Sequence, residues 1–242
     1  MKRISEPLAW FFCIPIWGLI SLIVGNDLYL PGPIKTLAAL FNILASRESY
    51  IILAVSSIRV AFALCLALAV GLPLGFLTGF SPKAEKLLSP WLTMFKSVPV
   101  VSFIMLALLW LNSNFLPILI SFLMAMPIFW TATEASVISR DKKLLEMMEV
   151  FGIKPSKRFI NYDLPWAIKH LSTALRQATG LAFKAGVAAE VLSFSPFSIG
   201  RKIMESKTYL ETADLFAWTL LLVLLSFAME RLVQVGIKSR KL

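Results

Sequence analysis

Apolar residues are concentrated in six long runs that polar segments separate. The runs lie near residues 8–25, 58–79, 98–112, 115–133, 168–192 and 213–232. A helix needs about 20 mainly apolar residues to cross the hydrocarbon core of a bilayer. The pattern therefore predicts an all-α integral membrane protein, with one transmembrane domain over residues 1–242 and about six spans. Asn112-Ser113-Asn114 separates the short third run from the fourth, so these two runs are predicted to form a hairpin.

The composition agrees with a surface that faces lipid. The chain is 58% hydrophobic and 16% charged, with a mean hydropathy of +0.78, whereas a soluble domain is roughly half apolar and about a quarter charged. The net charge of +10 would suggest nucleic acid in a soluble protein. Here the basic residues lie between the apolar runs, so we expect no nucleic-acid partner.

The distribution of Lys and Arg predicts the orientation of the chain. With the N-terminus inside, inner segments hold sixteen of these residues and outer segments hold five. Because cytoplasmic loops are enriched in Lys and Arg, both termini are predicted to be cytoplasmic. The first run follows Lys2 and Arg3 as a signal peptide would, but no small-residue cleavage site follows it, so we interpret it as a retained helix.

The inner loop over 140–165 carries an unusual pattern. Arg140 to Phe151 is predicted to form a short helix with Asp141 near its start and Gly152 as its C-terminal cap. Four apolar residues fall on one stripe of that helix: Leu144, Leu145, Met148 and Phe151. Such a helix either docks on a protein or lies on the lipid surface, and the pattern alone leaves both open.

The same loop resembles a known family. Glu146, Gly152 six residues later and Leu164-Pro165 after eleven more match the Glu-Ala-Ala loop of ABC importer permeases. Met147 and Met148 replace the two alanines, and Tyr162 replaces an isoleucine. The chain is most similar in pattern to the nitrate, taurine and sulfonate branch of the type I importers, through four further segments: Leu30-Pro31-Gly32-Pro33, Gly71-Leu72-Pro73-Leu74-Gly75, Ser97-Val98-Pro99 and Ala188-Ala189-Glu190.

The resemblance implies a type I permease fold in the bacterial plasma (inner) membrane. It implies three protein partners: a cytoplasmic ABC ATPase, an extracytoplasmic solute-binding protein and a second permease copy, most simply as a homodimer surrounded by membrane lipid. The loop helix would be a coupling helix that docks on the ATPase. The residues expected to couple are Glu146, Met147, Met148, Phe151, Gly152, Leu164 and Pro165.

We expect no cofactor, metal or catalytic site in this chain. It has no G-x-x-x-x-G-K-[ST] segment, so ATP and Mg would be bound by the partner ATPase. His170 is the only histidine, and the two cysteines, Cys13 and Cys65, both lie inside apolar runs. A membrane enzyme would need a cluster of reactive side chains at one depth, which the sequence does not offer.

Three glycines recur every fourth residue in the second run: Gly71, Gly75 and Gly79. This spacing favours close packing of another helix backbone. Because Pro73 lies among them, a gating hinge is the alternative.

The fifth run contains three charged residues that line one side of a helix: Arg176, Lys184 and Glu190. The opposite side carries Ala178, Ala182, Ala185 and Ala189, which suit close helix packing. Charges at membrane depth face protein or water, so these three residues are candidates for the substrate path. The alternatives are structural ion pairs and, for Lys184, a side chain that snorkels to the surface. Arg59, in the second run, is expected to snorkel.

The sequence thus predicts the membrane subunit of an ATP-driven importer for a small anion that resembles a sulfonate, taurine or nitrate. A neutral solute such as a thiamine precursor is the alternative within the same branch. A secondary carrier or channel, driven without an ATPase, is the alternative of another class.

Overall fold

The computed structural model describes the backbone of residues 6–238 and the side chains of residues 14–234. The termini, for which the charge distribution predicts a cytoplasmic location, lie outside the described residues. The described elements are eleven α-helices: α1 (Glu6–Val24), α2 (Pro33–Ala45), α3 (Arg47–Phe80), α4 (Pro82–Ser97), α5 (Val100–Ala107), α6 (Leu116–Ile138), α7 (Lys142–Val150), α8 (Pro155–Arg158), α9 (Leu164–Ser193), α10 (Ile199–Thr208) and α11 (Thr212–Lys238). A π-helical turn, Phe159–Asp163, joins α8 to α9.

Helices α3, α6 and α11 are long and apolar enough to cross a membrane, and α4 with α5 makes a fourth candidate if that bent pair is one span. The chain is therefore an all-α, multi-pass membrane protein. Helix α9 has 30 residues, which at ~1.5 Å per residue is about 45 Å and also exceeds the hydrocarbon thickness. Its charged residues make it more polar than the other three.

Only part of the third predicted span, 98–112, is helical, because α5 begins at Val100 and ends at Ala107. Helix α5 has only 8 residues, and it meets α4 at a bend of 93°. Pro99 is the cause, because a proline pushes the preceding residue into an extended conformation, and Val98 has φ −74° and ψ 129°. The sequence analysis missed α4, although Ser81 accepts a hydrogen bond from the backbone N–H of Ala84 and Pro82 begins the helix.

The close contact between α3 and α6 forms the centre of the molecule. The structure places Gly71, Gly75 and Gly79 along this contact. A Cβ added at these glycines would lie 2.8, 2.5 and 2.7 Å from the Cβ atoms of Phe129, Thr133 and Val137, respectively. Only glycine permits so close an approach. Helix α3 continues without a break through Pro73.

Helix α9 packs on this centre through its alanine face. Ala178, Ala182, Ala185 and Ala189 are all buried, as the sequence predicted. The opposite side of α9 is exposed and includes Thr173, Gln177, Leu181 and Lys184. Several polar side chains of α9 therefore lie on a surface which this single chain leaves open.

Candidate functional site

Helix α7 is capped at both ends. The Asp141 carboxylate accepts a hydrogen bond from the backbone N–H of Lys143 at 2.9 Å. At the other end Gly152 has φ +64°, the left-handed conformation that glycine adopts without strain. The N–H of Ile153 donates to the Met148 carbonyl at 3.0 Å and that of Gly152 to Glu149 at 2.9 Å, which is a Schellman motif. Both predicted caps are confirmed.

The apolar residues of α7 divide into two faces. Leu144, Leu145 and Met148 are half-buried, whereas Phe151, which the sequence analysis placed on the same stripe, is 75% exposed. The exposed residues form a second group, which we name the coupling patch: Met147, Val150, Phe151 and Ile153. The sequence analysis missed Val150, which is 85% exposed, although its i+3 spacing from Met147 is a helical signal.

A buried ion cluster holds the loop to the transmembrane helices. The carboxylate of Asp163 lies 2.8 Å from Arg140 Nη1 and 3.4 Å from Arg158 Nε. The Asp163 side chain is only 1% exposed. The sequence analysis did not single out Asp163. The available signal was a lone acidic residue in a basic segment, directly before Leu164-Pro165.

Leu164 and Pro165 begin α9 at the end of the loop over 140–165, which we name the coupling loop. Leu164 packs against a small apolar cluster that contains Phe76, Val137 and Ala167, whereas Pro165 is exposed. The next residue, Trp166, donates a hydrogen bond from its indole N–H to the Ser136 carbonyl at 3.0 Å. The start of α9 is thus fixed against the end of α6.

The three charged residues of α9 do not share one surface. Lys184 and Arg176 are exposed, and Arg176 Nε lies 3.5 Å from the carboxylate of Glu230 on α11. Glu190 is instead buried, at 1% exposed. The exposed stripe is centred near Lys184, and at ~100° per residue Glu190 lies about 120° away from Lys184 around the helix. That rotation turns it toward α3 and α10.

Glu190 accepts hydrogen bonds from several directions. The Ser56 hydroxyl lies 2.9 and 3.0 Å from its two carboxylate oxygens, and the Gly200 N–H donates at 3.2 Å. Arg59 Nη1 lies 3.3 Å away, and its side chain is only 11% exposed. The expectation that Arg59 snorkels is therefore wrong, because a buried carboxylate holds it. This pair matches the structural alternative for Glu190.

A cavity of about 470 Å³ lies beside the exposed face of α9. It is lined by the bend between α4 and α5, which includes Ser97-Val98-Pro99, and by one side of α6. Gln177 and Leu181 supply the α9 wall. The bend between α4 and α5 thus opens a space at the polar face of α9.

The comparisons with known proteins agree with these features. Residues 71–238 match the family described as binding-protein-dependent transport system inner membrane component. A probable ABC transporter permease of Brucella melitensis is 27% identical, over 92% of this chain and 91% of the relative. A putative aliphatic sulfonates transport permease of Bacillus subtilis is 29% identical, over 84% and 74% of the two chains. The taurine transport system permease of Escherichia coli is 24% identical, over 88% and 80%.

The match to the family covers more than half of the chain and includes the coupling loop, α9 and α11. The relatives are transport permeases without a catalytic role, and separate ATPase subunits hydrolyse ATP. The chain therefore belongs to the family of binding-protein-dependent transport system inner membrane components, and within it is an ABC importer permease of the sulfonate, taurine and nitrate branch.

Proposed function

We propose that this permease forms the path of an ATP-driven importer for a small anion. Two copies of the chain pair in the bacterial inner membrane, with their termini in the cytoplasm. A cytoplasmic ATPase binds ATP and Mg, and α7 of each copy docks on it. A solute-binding protein delivers the substrate from the outer side. The coupling patch is the observation that carries this proposal.

The coupling patch suits a protein groove better than a lipid surface. It is a compact apolar group on a helix with both ends capped, so the helix is preorganised for binding. The exposed carboxylates of Glu146 and Glu149 lie within one turn of Val150, whereas the exposed Lys142 and Lys143 lie at the start of the helix. A negative leaflet would therefore repel the end of α7 that carries the patch. A protein partner can instead match both the apolar group and the carboxylates.

The polar side of α9 supports a second copy. Thr173, Gln177 and Lys184 are exposed along a helix at membrane depth, where a charge that faces lipid costs about 2.5–3.5 kcal/mol on insertion scales. A second copy that faced the same surface would shield it from lipid and enclose a water-filled path. The substrate path would then lie between identical α9 helices.

Charge supports an anionic substrate. Glu230 partly neutralises Arg176, which leaves Lys184 as the cation that attracts the substrate. The relatives are named for aliphatic sulfonates, taurine and bicarbonate, and each of these carries a negatively charged acid group at neutral pH.

Replacing the most exposed patch residue tests the docking of α7. Val150→Asp puts a charge where a dry contact is proposed, so the permease should fold but lose the ATPase during purification in detergent. Leu210→Asp is the matched control, because Leu210 is an exposed apolar residue, 66% accessible, in the connection before α11. Retention of the ATPase by the Val150 variant, or transport driven by an ion gradient without any ATPase, would contradict the proposal.

A further inference from the structure

The coupling loop has few buried anchors of its own. None of residues 141–157 is buried, so the segment that contains α7 and α8 lies on the surface. The first buried residue after it is Asp163, in the π-helical turn directly before α9. The contacts at the two ends of this segment therefore provide a route by which a displacement of α7 reaches the transmembrane helices.

Those two ends meet at the Asp163 carboxylate. Arg140 directly precedes residues 141–157 and Arg158 directly follows them. Each guanidinium contacts one oxygen of the Asp163 carboxylate, at 2.8 and 3.4 Å. The two arginines neutralise the buried charge and fix its direction. The ion cluster therefore joins the two ends of the loop at Asp163.

Arg140 also connects this ion cluster to two transmembrane helices. Its Nε donates to the Val137 carbonyl in the last turn of α6 at 2.7 Å. Its guanidinium carbon lies 4.8 Å from the centroid of the Phe80 ring at the end of α3, a cation–π distance. One buried carboxylate thus joins α3, α6, the coupling loop and the start of α9.

The π-helical turn and the first residue of α9 make the connection between the loop and α9 stiff. Phe159, within the π-helical turn, packs edge-on against Phe76 of α3 at 5.0 Å between ring centroids. Asp163 is next to Leu164, whose side chain is packed in the same apolar cluster. A displacement of the loop therefore moves α9 together with the Asp163 ion cluster.

We propose that Asp163 is a positioning residue that transmits the movement of α7 to α9. The inference rests on the proposed function, because it presumes an ATPase that moves α7. Without the carboxylate, the half-buried guanidinium groups of Arg140 and Arg158 would repel each other. The two ends of the loop would then separate. ATP hydrolysis would then continue without opening the path.

Asp163→Asn tests this role, since it removes the charge with little change in volume. The complex with its ATPase is placed in lipid vesicles, with Cys13 and Cys65 replaced by Ser and Leu181→Cys as a reporter beside the cavity. The rate at which a membrane-impermeant maleimide labels this cysteine is measured before and after trapping the ATPase with ATP and vanadate. This readout needs no knowledge of the substrate.

In the parent complex, trapping should change the labelling rate by about fivefold or more, a typical allosteric coupling. Asp163→Asn should abolish that change while ATP hydrolysis persists. Asp141→Asn is the matched control: it removes a carboxylate from the same loop but retains an N-cap residue, so it should respond like the parent. A simple loss of stability would lower hydrolysis and labelling together.

Arg158→Gln serves as the second variant if Asp163→Asn fails to assemble. Its side chain is 35% exposed, so the variant is expected to assemble and to show a weaker response to trapping. A full response in an assembled Asp163 or Arg158 variant would overturn the inference. A parent complex with no ATPase, or with no response to trapping, would instead overturn the proposed function.

Discussion

Two buried carboxylates occur near the two ends of α9. Asp163 immediately precedes the helix, and Glu190 lies in its last turn. Each is held by arginine, at 2.8 and 3.3 Å, because an unpaired charge in such a position is costly. Glu190 follows Asp163 by 27 positions, which correspond to about 40 Å at ~1.5 Å per residue. These residues fix the ends of α9 and leave one side of its middle exposed.

Lys184 is the residue on which the proposed preference for anions depends. Lys184→Met keeps much of the side-chain length and removes the charge. It should raise the substrate concentration for half-maximal uptake of an aliphatic sulfonate roughly tenfold, because a hydrogen bond to a charged group contributes about 1.5–3 kcal/mol. The measurement is uptake at several substrate concentrations in vesicles that contain the complete transporter.

Lys169→Met is the matched control for the Lys184 variant. Lys169 is an exposed lysine near the N-terminal end of the same helix, with its Nζ 5.9 Å from the centroid of the Trp166 ring. Its replacement should leave the substrate dependence nearly unchanged. Unchanged uptake and selectivity in the Lys184 variant would show that this residue does not attract the substrate.

At the residue scale, local sequence patterns predicted fewer features of the structure than they did at the scale of helices. The caps at Asp141 and Gly152 follow from neighbouring residues and were predictable. The pairs Arg59–Glu190 and Arg140–Asp163 join residues 131 and 23 positions apart, and no local pattern encodes such contacts. The helical periodicity placed Arg176, Lys184 and Glu190 on one broad arc but could not show where α3 and α10 cover it.

At the element scale, the glycine spacing of α3 controls its contact with α6. An alanine in place of a helical glycine usually stabilises a helix by about 1 kcal/mol. At Gly75, however, the new methyl group would lie 2.5 Å from Thr133 Cβ and from the Trp130 carbonyl oxygen. Gly75→Ala should therefore lower the thermal unfolding temperature in detergent, with an overpacking cost of about 1–3 kcal/mol.

Gly18→Ala provides the comparison within a different helix. The nearest atom to a Cβ at Gly18 is Pro33 Cγ at 3.7 Å, an ordinary van der Waals distance. This variant should unfold at the same or a higher temperature. If Gly75→Ala were as stable as Gly18→Ala, the close packing of α3 on α6 would be wrong.

The elements themselves were partly predictable. Long apolar runs predicted α3, α6 and α11, because hydrophobic length is a property of one segment. The amphipathic α4 was missed because it lacks a long apolar run, and α5 covers only residues 100–107 of the predicted span at 98–112. The short α7 was predictable because its caps and spacing are local.

At the scale of the whole molecule, one chain leaves two surfaces open. The coupling patch faces outward from the loop, and the polar side of α9 borders a cavity of about 470 Å³. In the proposed function, an ATPase covers the first surface and a second permease copy covers the second. The sequence predicted these partners through its resemblance to importer permeases, whereas the structure shows which residues are free to meet them.

The most direct test of the central claim is the uptake of radiolabelled taurine into proteoliposomes, driven by ATP on the ATPase side. We expect uptake to require the ATPase and the binding protein, and to fall to the background level in a Glu146→Ala/Gly152→Val variant. Valine at Gly152 would be strained at φ +64°, so the cap of α7 would be lost. Uptake by the purified chain alone, or undiminished uptake by the variant, would contradict the account.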